Sequence, residues 1–289
     1  MGRSIRFVAK IVLTILFIIL LLYFVKPIEI YEAFHNANYF WIVFALLLLP
    51  INFFIQCVRW HYLVKQEVDN VRWIKILQSV LYSYFYGIFT PARLGELGRA
   101  FHIDDNKRKE LIILAMQEKI YAFGTIILLG SLALTIYKSY YYLILTVLLS
   151  TILIEGRIIL KRTPVINKFY HILCKVSTIR IILISLLFSL TYFLQFFLVI
   201  HSFKVVEFLP TMFYISLIMF FNSIPITLSG LGTRELLSIF FLKNIGISRG
   251  DAASASLLLF TINILVPTII GFFMLILKKD KHNHSVAKT

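Results

Sequence analysis

Long apolar runs alternate with short charged stretches along the whole chain. A helix needs about 20 mostly apolar residues to span a membrane. The runs that meet or approach this length predict six spanning helices: Phe7–Val25, Phe40–Val58, Leu111–Tyr137, Tyr140–Ile154, Ile181–His201 and Ala252–Leu277. Stretches such as Ile11–Leu22 are apolar on nearly every face, which favours helices over the alternating strands of a barrel. We therefore predict an all-α integral membrane protein, with residues 1–289 forming a single transmembrane domain.

Two further apolar runs are interrupted by proline and glycine. The first, Ile76–Phe89, leads into TPARLGELGR, and the second, Leu209–Ile224, leads into PITLSGLGTRE. Proline removes a backbone donor and breaks a helix, whereas glycine allows positive φ and close approach. The residues expected to shape these two breaks are Pro91, Gly95 and Gly98 in the first and Pro225, Gly230 and Gly232 in the second.

Irregular backbone at membrane depth is tolerated only where protein or a wet cavity surrounds it. We therefore predict that each interrupted run forms a re-entrant hairpin. Its tip is expected to expose free amides and a helix N-terminus, which favour anions such as phosphate.

The distribution of basic residues predicts the orientation. If both hairpins enter and leave on the same side, 20 Lys and Arg face one compartment and five face the other, with Arg59–Lys75 counted as a basic loop. The positive-inside rule then places both termini in the cytoplasm. The two hairpins open to opposite sides, which predicts inverted halves of about residues 1–137 and 138–289, an arrangement found in alternating-access carriers.

Composition supports a membrane protein and narrows its partners. The chain is 60% hydrophobic with a mean hydropathy of +0.87, above the 45–50% apolar content typical of soluble domains. Its net charge of +15 is explained by cytoplasmic loops near anionic headgroups, not by nucleic acid. Cys57 and Cys174 are far apart and indicate no disulfide framework. Nucleotide-binding motifs and clustered metal-ligand spacings are absent from the sequence, so we predict no cofactor and no metal.

Seven charged residues lie in or beside the apolar segments and form the candidate substrate site: Arg93, Glu96, Arg99, Glu118, Lys119, Arg234 and Glu235. Arginine binds phosphate through a planar fork of donors, so the three arginines are expected to hold a lipid phosphate. Ionisable groups inside a membrane are costly and usually functional. A purely structural role, in which ion pairs only hold the hairpins in place, is the alternative.

These motifs resemble those of the lysylphosphatidylglycerol synthase transmembrane (flippase) family. The resemblance rests on P-x-R-x-G-E-x-x-R at Pro91–Arg99, on Glu118-Lys119 within a helix, and on the Gly-x-Gly-x-x-Glu ending at Glu235. It implies lipid translocation between leaflets, and it implies a site role for the charged motif residues. Only Lys278–Thr289 follows the last predicted span, so we expect no aminoacyl-transferase domain.

The resulting hypothesis is a non-enzymatic lipid flippase of the cytoplasmic membrane. Its substrate would be an anionic phospholipid or a polyprenyl lipid. The alternatives are a polyprenyl-phosphate-linked sugar translocase, a non-catalytic partner of a lipid-modifying or glycosyl-transferring enzyme, and an enzyme acting on a lipid phosphate. Association with itself or with a lipid-synthesising enzyme is compatible with each of them.

Overall fold

The computed structural model describes residues 19, 23, 25–90, 93–137, 139–160, 170–224, 227 and 229–286, with only the backbone given for 137, 153–160, 171 and 278–286. All regular structure in these ranges is helical. The elements are α1 (Pro27–Asn36), α2 (Tyr39–Val64), α3 (Trp73–Ile88), a 3₁₀ segment (Leu94–His102), α4 (Arg108–Tyr137), α5 (Tyr142–Leu160), α6 (Tyr170–Lys175), α7 (Thr178–Phe203), α8 (Phe208–Asn222), α9 (Thr233–Leu242), a 3₁₀ turn (Lys243–Ile245), α10 (Arg249–Phe260), a π turn (Thr261–Leu265) and α11 (Val266–Val286).

Four of the predicted spans are confirmed as helices long and apolar enough to cross a membrane. They are Tyr39–Val64, Arg108–Ile136, Thr178–Phe203 and Arg249–Leu277. The other two predicted spans are not tested in full. Tyr142–Ile152 of α5 is a shorter apolar helix within the described side chains. Phe7–Val25 lies almost entirely outside the described residues, and so do Pro91 and Pro225. The count of six therefore stays a prediction.

Helix α2 extends further than the charge pattern indicated. The predicted basic loop began at Arg59, but the helix continues to Val64. Trp60, Leu63 and Val64 are fully buried, so the apolar face of the helix continues past the arginine. Arg59 is therefore an interior residue, and the prediction that placed it in a cytoplasmic loop is wrong.

The 3₁₀ segment folds back along α3, and we call residues 73–102 the first hairpin. Gly95 lies so close to α3 that a Cβ atom on it would be 2.0 Å from the carbonyl oxygen of Tyr86. Gly98 faces the ring of the same tyrosine, with a corresponding distance of 3.2 Å. The left-handed conformation at the turn belongs to Arg93, with φ of 53°, and not to a glycine.

Helices α8 and α9 also pack against each other, and we call residues 208–242 the second hairpin. Its turn contains three described residues with positive φ: Ser229 at 52°, Gly230 at 77° and Gly232 at 80°. The hydroxyl of Ser229 donates to the carbonyl oxygen of Ile88 at 3.0 Å. This contact joins the turn of the second hairpin to the end of α3.

Long helices surround the two hairpins. Helix α3 packs against α11, α8 packs against α4, and α2 packs against α7. Where α2 meets α7, the side-chain oxygen of Gln195 accepts hydrogen bonds from Asn52 at 2.7 Å and from Asn263 at 2.8 Å. Asn263 belongs to the π turn, so the last long helix is irregular at the point where it joins this core.

We predict that Gly95→Ala lowers the thermal midpoint of the purified protein by about 5 °C or more, because the new methyl group would overpack against α3. Gly130→Ala is the matched control, since its Cβ would lie 3.8 Å from Ser216, which is ordinary contact. Equal midpoints for the two variants would contradict the close packing of the first hairpin.

Candidate functional site

A cavity of about 400 Å³ lies between the two hairpins and the long helices. The first hairpin, α4 and Arg59 of α2 supply its charged lining. The second hairpin supplies hydroxyl and amide groups. Apolar side chains of α4, α7 and the second hairpin complete the wall, namely Phe123, Ile126, Phe188 and Ile224.

The deepest part of this charged lining is a buried carboxylate between two arginines. Glu118 of α4 pairs with Arg59 of α2 at 2.8 Å and with Arg99 of the 3₁₀ segment at 2.5 Å. The three residues are at most 4% exposed. Each guanidinium also lies over an aromatic ring, Arg99 over Trp60 and Arg59 over Phe188. The pairing compensates charges that would otherwise be very costly to bury.

A second charged group lies closer to the cavity opening. Glu96 pairs with Arg93 at 2.7 Å and with Lys119 at 2.7 Å. The side chains of Arg93 and Lys119 are 26% and 29% exposed, so they can reach a ligand. The guanidinium of Arg93 lies 5.0 Å from the centre of the Tyr84 ring.

The charged lining has an excess of positive charge. Its ionisable groups among the described residues are four cations and two carboxylates, which gives a formal charge of +2 with both acids ionised. Cations that exceed their counterions in a partly desolvated space attract anions strongly. The cavity therefore has the electrostatics of a site for a phosphate group.

Arg234 and Glu235 do not line this cavity. They are at most 1% exposed and pair with each other at 3.0 Å, and both bond the hydroxyl of Ser256 in α10. The other oxygen of Glu235 accepts from the amide of Gly232 at 2.7 Å, which is a capping interaction at the start of α9. Of the seven predicted site residues, the structure brings five to the cavity and leaves these two in a separate network.

Two described amides near the hairpin tips, those of Gly95 and Gly232, have partners within the protein. Glu235 caps α9, and in the first hairpin the amide of Gly95 donates to the hydroxyl of Thr90 at 2.7 Å. That hairpin also continues as a 3₁₀ segment, not as an α-helix. At these two amides the chain supplies its own acceptors, and the anion expected at a helix N-terminus stays a prediction.

The second hairpin contributes a polar wall, which we define as Asn222, Ser223, Thr227 and Ser229. The hydroxyls of Ser223 and Ser229 donate to backbone carbonyl oxygens of Met219 and Ile88. Their oxygens retain lone pairs that can accept a hydrogen bond from a ligand. This side of the cavity is polar and uncharged.

Sequence reasoning missed Arg59 and the tyrosine beneath Arg93. The predicted helix ends before Arg59 on the ground of charge alone. The apolar residues Trp60, Leu63 and Val64 that follow it indicate a longer helix. Tyr84 donates to the side-chain oxygen of Gln56 at 2.6 Å, and both residues line the cavity. The signal available in the sequence was the helical spacing of Gln56 along α2 and of Tyr84 along α3.

The described residues contain no group of three or more His, Cys, Asp and Glu that could hold a metal ion. Cys57 is a buried free thiol and Cys174 an exposed one. The described cavity offers a ligand charged groups and hydrogen-bonding groups.

Two comparisons with known proteins find similarity to membrane proteins. Residues 7–271 match the family described as "Lysylphosphatidylglycerol synthase TM region". The chain is also 24% identical to a UPF0104 membrane protein of Methanocaldococcus jannaschii, in an alignment covering 93% of this chain and 94% of the relative.

We predict that Glu118→Gln lowers the free energy of unfolding by about 3–5 kcal/mol, because two buried guanidinium groups lose their carboxylate. Asp105→Asn is the control. It breaks an exposed pair with Arg108, so it should cost less than about 1 kcal/mol. Unfolding of both variants in mixed micelles measures the difference, and equal stabilities would show that Glu118 does not hold the arginines.

Proposed function

Because the chain belongs to the lysylphosphatidylglycerol synthase TM-region family, we propose that it moves an anionic or phosphate-bearing lipid between membrane leaflets. The protein is a multi-pass integral membrane protein, and we place it in the cell membrane. The observation that carries the proposal is the formal charge of +2 lining a cavity between two folded-back segments. Fixed positive charge in a low-dielectric space stabilises the anionic headgroup while it passes through the hydrocarbon core, where the lipid chains offer no polar partner.

Arg93 and Lys119 are the proposed phosphate ligands. They are the partly exposed cations of the cavity, and they share the single carboxylate of Glu96. Both cations keep N–H donors beyond those that face Glu96, since Nε of Arg93 has no hydrogen-bond partner among the described residues. A phosphate can therefore bind them while Glu96 keeps its ion pairs. Arg59 and Arg99 are held by Glu118, so their proposed role is to maintain the positive potential and the position of the first hairpin.

The acyl chains need a path that stays in lipid. Phe123, Ile126 and Ile224 line the cavity beside the charged groups. In the proposed mechanism the headgroup enters between the hairpins while its chains remain against these apolar side chains. Arg234 and Glu235 stabilise the second hairpin and do not contact the lipid.

The two hairpins are proposed to re-enter the membrane from opposite sides. Helix α3 has 16 residues and α8 has 15, which gives about 24 Å and 22 Å at 1.5 Å per residue. Both are shorter than the hydrocarbon core of about 30 Å. The packing of α3 on α11 and of α8 on α4 supports inverted halves, because each hairpin rests on the last long helix of the other half.

Labelling of single cysteines tests this topology. In a Cys174→Ser background, we predict that an impermeant maleimide labels Val205→Cys in intact expressing cells, because the loop after α7 is then external. Asp105→Cys should be labelled only after the membrane is opened. Both positions are exposed. External labelling of Asp105→Cys would show that the first hairpin crosses the membrane completely.

Reconstitution tests transport. We predict that proteoliposomes flip acyl-labelled phosphatidylglycerol faster than protein-free liposomes, as measured by dithionite quenching. Arg93→Gln should lower the protein-dependent rate about tenfold, the size expected for one charge-assisted hydrogen bond. Arg108→Gln is the control, because Arg108 forms an exposed pair outside the cavity.

The rival functions give different results in the same preparation. A protein that copurifies with a lipid-modifying or glycosyl-transferring enzyme and flips no lipid is a partner of that enzyme. Flipping of polyprenyl-phosphate sugars, with no acceleration of phosphatidylglycerol, would indicate a sugar translocase. Chemical conversion of the labelled lipid would indicate an enzyme.

A further inference from the structure

The charges and hydroxyls of the cavity also limit the headgroup that it can hold. Resting on the proposed function, we propose that the substrate is a phosphate lipid with a hydroxylated, uncharged headgroup, such as glycerol or a sugar. We infer further that a headgroup carrying additional ammonium groups, such as the lysylated lipid named in its family's description, is excluded.

The carboxylates of the cavity are already paired with cations of the protein. An ammonium group in a partly desolvated site needs an anionic partner. The cavity lining has two described carboxylates, and each already pairs with two cations. Glu96 contacts Arg93 and Lys119, and Glu118 contacts two arginines. A lysyl headgroup would have to displace a cation of the protein from one of them.

Three aromatic rings that line the cavity already have neighbours within the protein. Quaternary and other ammonium groups can bind over an aromatic face. The Tyr84 ring already has Arg93 at 5.0 Å from its centre, and the Phe188 ring has Arg59 at 4.9 Å. The Phe123 ring stacks on Phe220 with centroids 6.4 Å apart. Each of these three rings is therefore already in contact with a cation or another ring.

The electrostatic potential of the lining favours a negatively charged lipid. Phosphatidylglycerol has one negative charge, whereas its lysylated form has a net positive charge because two ammonium groups exceed one phosphate. A lining of charge +2 attracts the first lipid and repels the second. At a few ångströms in a protein environment such differences correspond to at least about tenfold in rate or affinity.

The polar wall supplies the positive part of the selectivity. It lines the cavity from the second hairpin, whereas the basic groups come from the first hairpin, α4 and α2. Ser223 and Ser229 donate to backbone carbonyls, so their oxygens are available as acceptors. Asn222 adds an amide that can both donate and accept. Such groups match hydroxyls of a headgroup whose phosphate is held by Arg93 and Lys119.

Three acyl-labelled lipids separate charge from hydroxyl recognition in proteoliposomes. Phosphatidylglycerol carries one negative charge and two hydroxyls. Phosphatidylethanol carries the same charge and no headgroup hydroxyl. Lysylphosphatidylglycerol is net positive. We expect phosphatidylglycerol to flip about threefold or more faster than phosphatidylethanol, and at least about tenfold faster than the lysylated lipid.

Paired variants assign each effect to its residues. Lys119→Met removes one cavity cation, so the rate of the lysylated lipid relative to phosphatidylglycerol should rise about tenfold. Lys175→Met is the matched control, because Lys175 forms a similar ion pair with Glu67 at 2.8 Å on the surface, and the ratio should not change.

The hydroxyl effect has its own matched pair. Thr227 and Thr233 share a hydrogen bond of 3.1 Å, but Thr227 lines the cavity and Thr233 does not. Thr227→Val should slow phosphatidylglycerol about threefold relative to phosphatidylethanol. Thr233→Val breaks the same bond. It also removes a donor to the side-chain oxygen of Asn222, which leaves that oxygen free to accept, so it should not slow phosphatidylglycerol relative to phosphatidylethanol.

The outcomes distinguish this inference from the proposed function. If the wild-type protein flips all three lipids at equal rates, transport stands and the headgroup selectivity is wrong. If phosphatidylethanol is flipped as fast as phosphatidylglycerol, the role assigned to the polar wall is wrong. If none of the three lipids is flipped faster than in protein-free liposomes, both the proposed function and this inference are wrong.

Discussion

The buried carboxylate of Glu118 sets the arrangement of the first half of the molecule. It lies between Arg59 and Arg99 and so links α2, the 3₁₀ segment and α4. Burying any one of these charges alone would cost several kcal/mol, so the three elements have to assemble together. Successive residues of a helix point about 100° apart. When Glu118 faces the arginines, Lys119 is therefore directed to the cavity and to Glu96.

The two hairpins compensate their buried charges in different ways. In the first, charges on the folded-back segment pair with neighbouring long helices, and some of them remain accessible. In the second, Glu235 caps its own helix and binds Arg234, which leaves hydroxyls and an amide at the cavity surface. This asymmetry between two stretches of similar sequence produces a cavity with one basic side and one polar, uncharged side. A phosphate with a hydroxylated headgroup would complement both.

Periodicity and residue chemistry predicted much of this from the sequence. The long helices followed from run length. The breaks followed from the proline and glycine clusters, although the left-handed residue of the first turn is Arg93 and not a glycine. The location of Arg93, Glu96 and Lys119 at one site followed from the cost of charge among apolar residues. Arg59 was missed because its charge was taken as the end of a helix that packing extends. The separate network of Arg234 and Glu235 could not be predicted, since the partner of a buried charge depends on which helices meet in three dimensions.

An experimental structure of the protein in a nanodisc containing phosphatidylglycerol tests the central claim most directly. We expect both hairpins to begin and end on the same side of the bilayer, on opposite faces. We also expect a phosphate within hydrogen-bonding distance of Arg93 and Lys119. Hairpins that cross the bilayer completely, or a cavity that opens only to bulk water and holds no lipid, would contradict it.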